Sequence, residues 1–183
     1  NLFKKHPYRW ATIGSMEHLD AATLEEFQAF NKKFYIPNNA VLVVAGDFKK
    51  DQAKKWIAQY FGTIPKGAPI KREQFIEEPI TETIKARFED NNIQIPAIVA
   101  AYRTPSMKTR DARVLDLISS YLSDGKSSKL YKKIVDDKKI ALQVGAFSNS
   151  QEDYGMYILY GLPMGKNTAT DILKEIDEEI TKL

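Results

Sequence analysis

The side chains able to do chemistry are few, and their spacing decides what they could do. The 183-residue chain holds two histidines, His6 and His18, and no cysteine. Without Cys there are no disulfides, thiol nucleophiles, zinc ribbons or iron–sulfur clusters. The compartment stays open, with bacterial periplasm and cytoplasm both compatible. A metal site made by this chain would have to be mostly carboxylate, or be completed by another chain. Glu17-His18 has the tail of an H-x-x-E-H zinc pattern, but the position four before His18 is Gly14. That pattern needs two His one helical turn apart on one face, so His18 reads as a residue exposed before a helix. His6 precedes Pro7 and belongs to an extended or turn segment, where local hydrogen bonds are its expected work.

Gly125-Lys126-Ser127-Ser128-Lys129 is the other stretch that suggests chemistry. It does not match the G-x-S-x-G of a nucleophile elbow. A phosphate loop needs a Gly at position 120, which is Ser, and a strand before it, where a helix is expected. A Ser–Lys pair fits the composition, yet capping of the next helix is the simpler assignment for Ser127 and Ser128. Asp136-Asp137 and Asp177-Glu178-Glu179 read as solvated helix surface. Tyr154, Met156, Ile158 and Tyr160 share one face of a strand with Tyr157 opposite, a packing pattern that could also stack a peptide. No catalytic residue, no metal ligand and no substrate-binding residue can be assigned from these motifs.

The elements that would position such residues are clearer. Thr23 and Glu26 make a capping-box pattern, and Leu24, Phe27, Phe30 and Phe34 follow at helical spacing. Residues 40–45, AVLVVA, are apolar on both faces, which predicts a central strand. A helix is expected over 50–61, with Ala53, Trp56, Ile57 and Tyr60 on one face. Residues 62–79 concentrate Gly and Pro among charges and predict a boundary. Beyond it the pattern predicts strands over 84–89 and 95–103, and helices over 111–122 and 127–137. Strands over 141–149 and 154–162 and a last helix over 168–183 complete the order. Strands joined by short turns, with helices in blocks, predict an α+β layered sandwich of antiparallel sheet and helices. A lone central strand at 40–45 cannot satisfy its own backbone, so its neighbours are expected upstream of Asn1.

Composition narrows the partners. Hydrophobic residues make 43%, charged residues 28%, and the net charge is +3, an ordinary globular balance. No basic stripe with interleaved aromatics points to nucleic acid. No apolar run approaches the ~20 residues of a membrane span.

Several stretches together resemble one family. They are His6-Pro7-Tyr8, Ile13-Gly14, Thr23 to Phe34, the block Tyr35-Ile36-Pro37-Asn38-Asn39 running to Gly46-Asp47, and Phe61-Gly62-Thr63-Ile64-Pro65. Leu122 to Tyr131 and Lys139-Ile140-Ala141 extend the likeness. They resemble the M16 family of zinc metallopeptidases, of pitrilysin, insulinase and mitochondrial processing peptidase type. The resemblance implies a LuxS/MPP-like metallohydrolase fold. It implies that residues 1–66 are the C-terminal part of the metal-bearing domain, 67–79 a linker, and 80–183 the non-catalytic, inactive domain, truncated at its C-terminus. The family's inverted zinc motif lies upstream of the His6 block, so zinc belongs to the intact parent and no ligand maps here. Family members that hold substrate with an Arg and a Tyr place them at the positions of Val135 and Leu142, which cannot do that job. The resemblance implies a peptide or unfolded-protein substrate, and as partners the missing metal-bearing half and a second M16 unit. The fragment alone is not expected to be active. A non-proteolytic scaffold or partner subunit is the alternative.

Overall fold

The computed structural model describes residues 2–183. They fall into two compact units, Phe3–Pro79 and Ile80–Leu183, the second joined by Leu2. In the first unit, α1 (Met16–Ala21), α2 (Leu24–Phe34) and α3 (Lys50–Phe61) are linked by loops with 3-10 turns at Pro7–Arg9 and Pro37–Asn39. The start of α2 is set by a complete capping box: the Thr23 hydroxyl accepts from the Glu26 amide at 3.3 Å, and the Glu26 carboxylate accepts from the Thr23 amide at 2.9 Å. Glu25 and Glu26 lie in its first turn, Lys32 and Lys33 in its last, the order the helix dipole favours.

The strand expected at 40–45 does not form. No ladder includes these residues, and Val41 and Val43 are 90% and 79% exposed. The physical reason is that a strand exists only through its neighbours, and no described residue of this unit is in a strand. The apolar faces of the helices are likewise uncovered: Leu24, Phe27 and Phe30 on α2 and Trp56 and Tyr60 on α3 are all exposed.

The second unit is a three-stranded antiparallel sheet with spatial order β1-β3-β2. Its strands are β1 (Ile98–Pro105), β2 (Ala141–Ser150) and β3 (Tyr154–Pro163). The central strand β3 sets the register of both neighbours: Ala101 and Phe147 flank Ile158, and Ala100 and Ala146 flank Leu159. Helices α4 (Arg110–Ser123) and α5 (Ala169–Ile180) and a π-helix at Tyr131–Asp137 pack on the sheet. Leu122, Leu130, Ile134, Val144, Leu159, Ile172 and Ile176 form the core between them. Each such burial stabilises by roughly 1.5–3 kcal/mol relative to an exposed side chain. As the period-two pattern predicts, Tyr157 is buried on the helix side, opposite Tyr154, Met156, Ile158 and Tyr160. On that other side the Tyr160 ring lies over Gly145, where a Cβ would sit 2.5 Å from the ring. Only glycine admits that approach.

Two expectations need correction here. The alternating segment 84–89 forms no strand, and Phe88 is 89% exposed, because alternation makes one face apolar without supplying a ladder partner. The helix expected over 127–137 is a π-helix over most of its length.

Candidate functional site

Each residue singled out by type can now be placed. His6 is 4% exposed. Its Nδ1 accepts from the Tyr8 amide at 3.2 Å, and its ring meets Tyr8 at 4.1 Å, Phe75 at 6.0 Å and Phe3 at 6.1 Å. Its own amide donates to Glu77 Oε1 at 2.7 Å. The same oxygen accepts from the amides of Lys4 at 2.8 Å and Lys5 at 2.6 Å. Three successive N–H groups thus converge on one carboxylate oxygen of a residue 8% exposed. His6 is a packing residue that helps seat this clasp.

His18 lies on α1 and is exposed. Its ring meets Trp10 edge-on at 6.4 Å, and the Arg9 guanidinium lies 4.2 Å from the Trp10 ring centre. Among the described residues no three His, Asp or Glu side chains gather in a way that could hold a metal ion. The two imidazoles are engaged in separate aromatic settings, so the residues present do not fit a zinc centre.

Residues 125–128 form a loop, and Lys129 begins the helical segment that follows. The Lys129 ammonium lies 5.5 Å from the Tyr121 ring centre. Ser128 is 4% exposed, and among the described residues its hydroxyl has no hydrogen-bond partner. Helix capping at this break, expected for Ser127 and Ser128, is therefore not what Ser128 does. The hydroxyl that ties down the break is Ser123, which donates to the Ala146 carbonyl of β2 at 2.6 Å. Val135 is half-buried in the π-helix, and Leu142 is 50% exposed at a β-bulge between Ala141 and Gln143. Neither carries a polar group.

The Tyr35-Ile36-Pro37-Asn38-Asn39 block has a clear structural job. Asn39 Nδ2 donates to the Phe34 carbonyl at 2.9 Å, closing the end of α2. Asn38 donates to the Gly67 carbonyl at 3.2 Å and accepts from the Gly67 amide at 2.9 Å. Ile36 packs on the same glycine, where a Cβ would meet it at 2.6 Å.

One cluster escapes motif reading. Lys133 Nζ lies 3.0 Å from Glu175, 3.0 Å from Glu178 and 3.1 Å from Glu179. Lys138 binds the other oxygen of Glu175 at 2.5 Å, and Lys182 binds Glu179 at 2.5 Å. The Lys133–Glu175 contact is one of charge proximity, because Glu175 Oε2 has no well-directed hydrogen bond. Desolvation works against the charge on Lys133, but Glu175, Glu178 and Glu179 together outweigh it and hold the ammonium above its usual range. Lys138, against desolvation, holds the Glu175 carboxyl below the usual carboxylate range, with help from Lys133. Lys182 does the same for Glu179. Of the run expected to be solvated surface, Asp177 and Glu178 are exposed, but Glu179 is not: its side chain is 12% exposed. The spacing of Glu178 and Glu179 from Glu175, three and four residues along one helix face, was the available signal.

Known proteins supply the remaining context. The family described as the peptidase M16 inactive domain matches residues 21–183. The chain is 29% identical over 187 residues to the zinc protease PqqE of Helicobacter pylori, covering 97% of this chain and 40% of that protein. It is 24% identical over 148 residues to the non-peptidase homolog YmxG of Helicobacter pylori, covering 81% of this chain and 34% of that one. A crystal structure of a protease from Helicobacter pylori superposes with a TM-score of 0.79 at 25% identity, covering 99% of this chain and 44% of that one. The chain therefore spans about two fifths of the length of the curated relatives it matches.

Proposed function

Since this chain belongs to the peptidase M16 inactive-domain family, we propose that it is the non-catalytic portion of an M16-type zinc metallopeptidase. Its work is to help enclose and position a peptide substrate. The observation that carries this reading is the family match over residues 21–183. We assign residues 1–66 to the end of the metal-bearing domain, 67–79 to a linker and 80–183 to the inactive domain. The zinc and the water it activates belong to the rest of the whole protein, and no step of hydrolysis runs through residues of this chain. In the sheet, β1 and β2 are the outer strands, and an outer strand offers backbone donors and acceptors to an extended peptide.

The test is metal analysis of the dialysed chain with a peptide-cleavage assay on the same sample. We expect no stoichiometric zinc and no cleavage. One tightly bound zinc per chain overturns the assignment. A second reading, a scaffold or partner subunit of a non-proteolytic assembly, is favoured by the likeness to a non-peptidase homolog and by the apolar residues at Val135 and Leu142. The parent gene separates the two. An intact inverted H-x-x-E-H motif supports the enzyme, and a degenerate one supports the scaffold.

A further inference from the structure

The winding of the chain loosens step by step before β2. The Lys132 amide donates to the Ser128 carbonyl, an i→i+4 bond at 3.0 Å. The Lys138 amide donates to the Lys133 carbonyl, i→i+5, at 3.0 Å, and the Ile140 amide to the Ile134 carbonyl, i→i+6, at 3.1 Å. Lys139 follows with φ of +53°, a left-handed conformation that a non-glycine residue rarely adopts. Three residues later β2 carries its bulge, between Ala141 and Gln143. A π turn amounts to an α turn with one residue too many. The segment Tyr131–Leu142 therefore holds surplus chain at both ends of a short connection.

The ion cluster explains what holds that surplus in place. On an α-helix, residues five apart point about 140° away from each other. On a π-helix they are joined by the i→i+5 bond and lie on the same side. Lys133 and Lys138 are five apart, and they grip the two oxygens of the same carboxylate, Glu175, at 3.0 and 2.5 Å. Glu175 is 8% exposed and sits on α5 between Ile172 and Ile176, both in the core. Its position is set by the packing of α5. The spacing of the two lysines must adapt to it.

We propose that Glu175 is a register lock. It holds Tyr131–Asp137 in π winding, and without its charge the segment relaxes to α winding. The Lys138 amide then bonds the Ile134 carbonyl. The released residue passes into the turn at Lys139 and the bulge at Leu142, so the start of the outer strand β2 shifts. Any event that discharges Glu175 or Lys138 acts on β2 through this segment. The inference does not depend on the function proposed above.

The test compares wild type with Glu175→Gln and Lys138→Gln in the full chain, by NMR. In both variants we expect a new contact from the Ile134 Cα to the Lys138 amide. We also expect exchange of the Ile140 amide, which gives up the Ile134 carbonyl to Lys138, to speed up by about tenfold or more, the scale of one weakened local lock. The amides of Ile172 and Ile176 should keep their protection. Lys138 has a side chain 44% exposed, so its variant decides the matter if Glu175→Gln fails to fold. Retention of the Lys138-to-Lys133 bond with unchanged exchange overturns the proposal. So does parallel loss of protection throughout α5, which would make Glu175 a simple anchor for that helix.

Discussion

The side-chain amide of Asn38 pairs with the backbone of Gly67, 29 residues away, by giving one hydrogen bond and receiving another. It treats the glycine as a neighbouring strand would. This explains why an Asn, with both a donor and an acceptor on one planar group, stands in that block; the partner has no side chain because Ile36 packs where its Cβ would lie.

Replacing Asn38 by Ala removes both bonds at an exposed site, so the expected loss is about 1 kcal/mol. Asn38→Asp keeps the acceptor and loses the donor, and should fall between Ala and wild type. Urea unfolding at constant slope measures this through the midpoint. An unchanged midpoint for Asn38→Ala would show that the pair is decorative.

The Glu77 clasp should matter more. Glu77→Ala leaves the amides of Lys4, Lys5 and His6 without their common acceptor, and about 2–3 kcal/mol of stability should go with it. Glu77→Gln retains an acceptor without the charge and should lose roughly half as much. Denaturant melts of the three proteins rank them. Equal stability of Ala and Gln variants would mean that burial of the side chain, not its hydrogen bonding, is what counts.

The ion cluster predicts a direction with pH. Glu175 and Glu179 have carboxyls held below the ordinary value of 4.5 by their lysines. A carboxylate lowered in the folded state contributes stability that is present above its unfolded pKa and is lost as pH falls through the folded one. Stability from the cluster should therefore be level between about pH 5.5 and 8 and decline below about pH 4.5. Lys138→Met, which removes the larger cause of the lowered Glu175 carboxyl, should make that acid limb shallower while lowering stability at pH 7. A thermal midpoint followed from pH 3 to 8 decides. An acid limb of the same steepness in Lys138→Met would place its origin elsewhere.

Local signals read well from the sequence. The capping box of Thr23 and Glu26 involves residues three apart, and the alternation of Tyr154 to Tyr160 reflects one strand with a neighbour on each side. The α+β class and the antiparallel pairing followed from such signals. Features that depend on distant residues did not. Residues 40–45 have the composition of a central strand, but pairing is a property of two segments. The π winding at Tyr131–Asp137 answers to Glu175, which lies 37 residues beyond Lys138, and no local pattern announces it. Glu77 looked like one more charge in a Gly/Pro-rich stretch, and its value depends on three amides more than 70 residues earlier. His6 and His18 lack the spacing of ligands in the sequence, and the aromatic neighbours that the structure gives both of them come from residues no local pattern pairs with them.

The bare run at residues 40–45 also bears on how the protein behaves in concentrated solution. Six apolar residues, four of them Val or Leu, stand with no charge and no proline among them, and unpaired backbone in such a run is a template for further strands. As it stands in this unit, the run is a surface on which one molecule could seed the aggregation of the next.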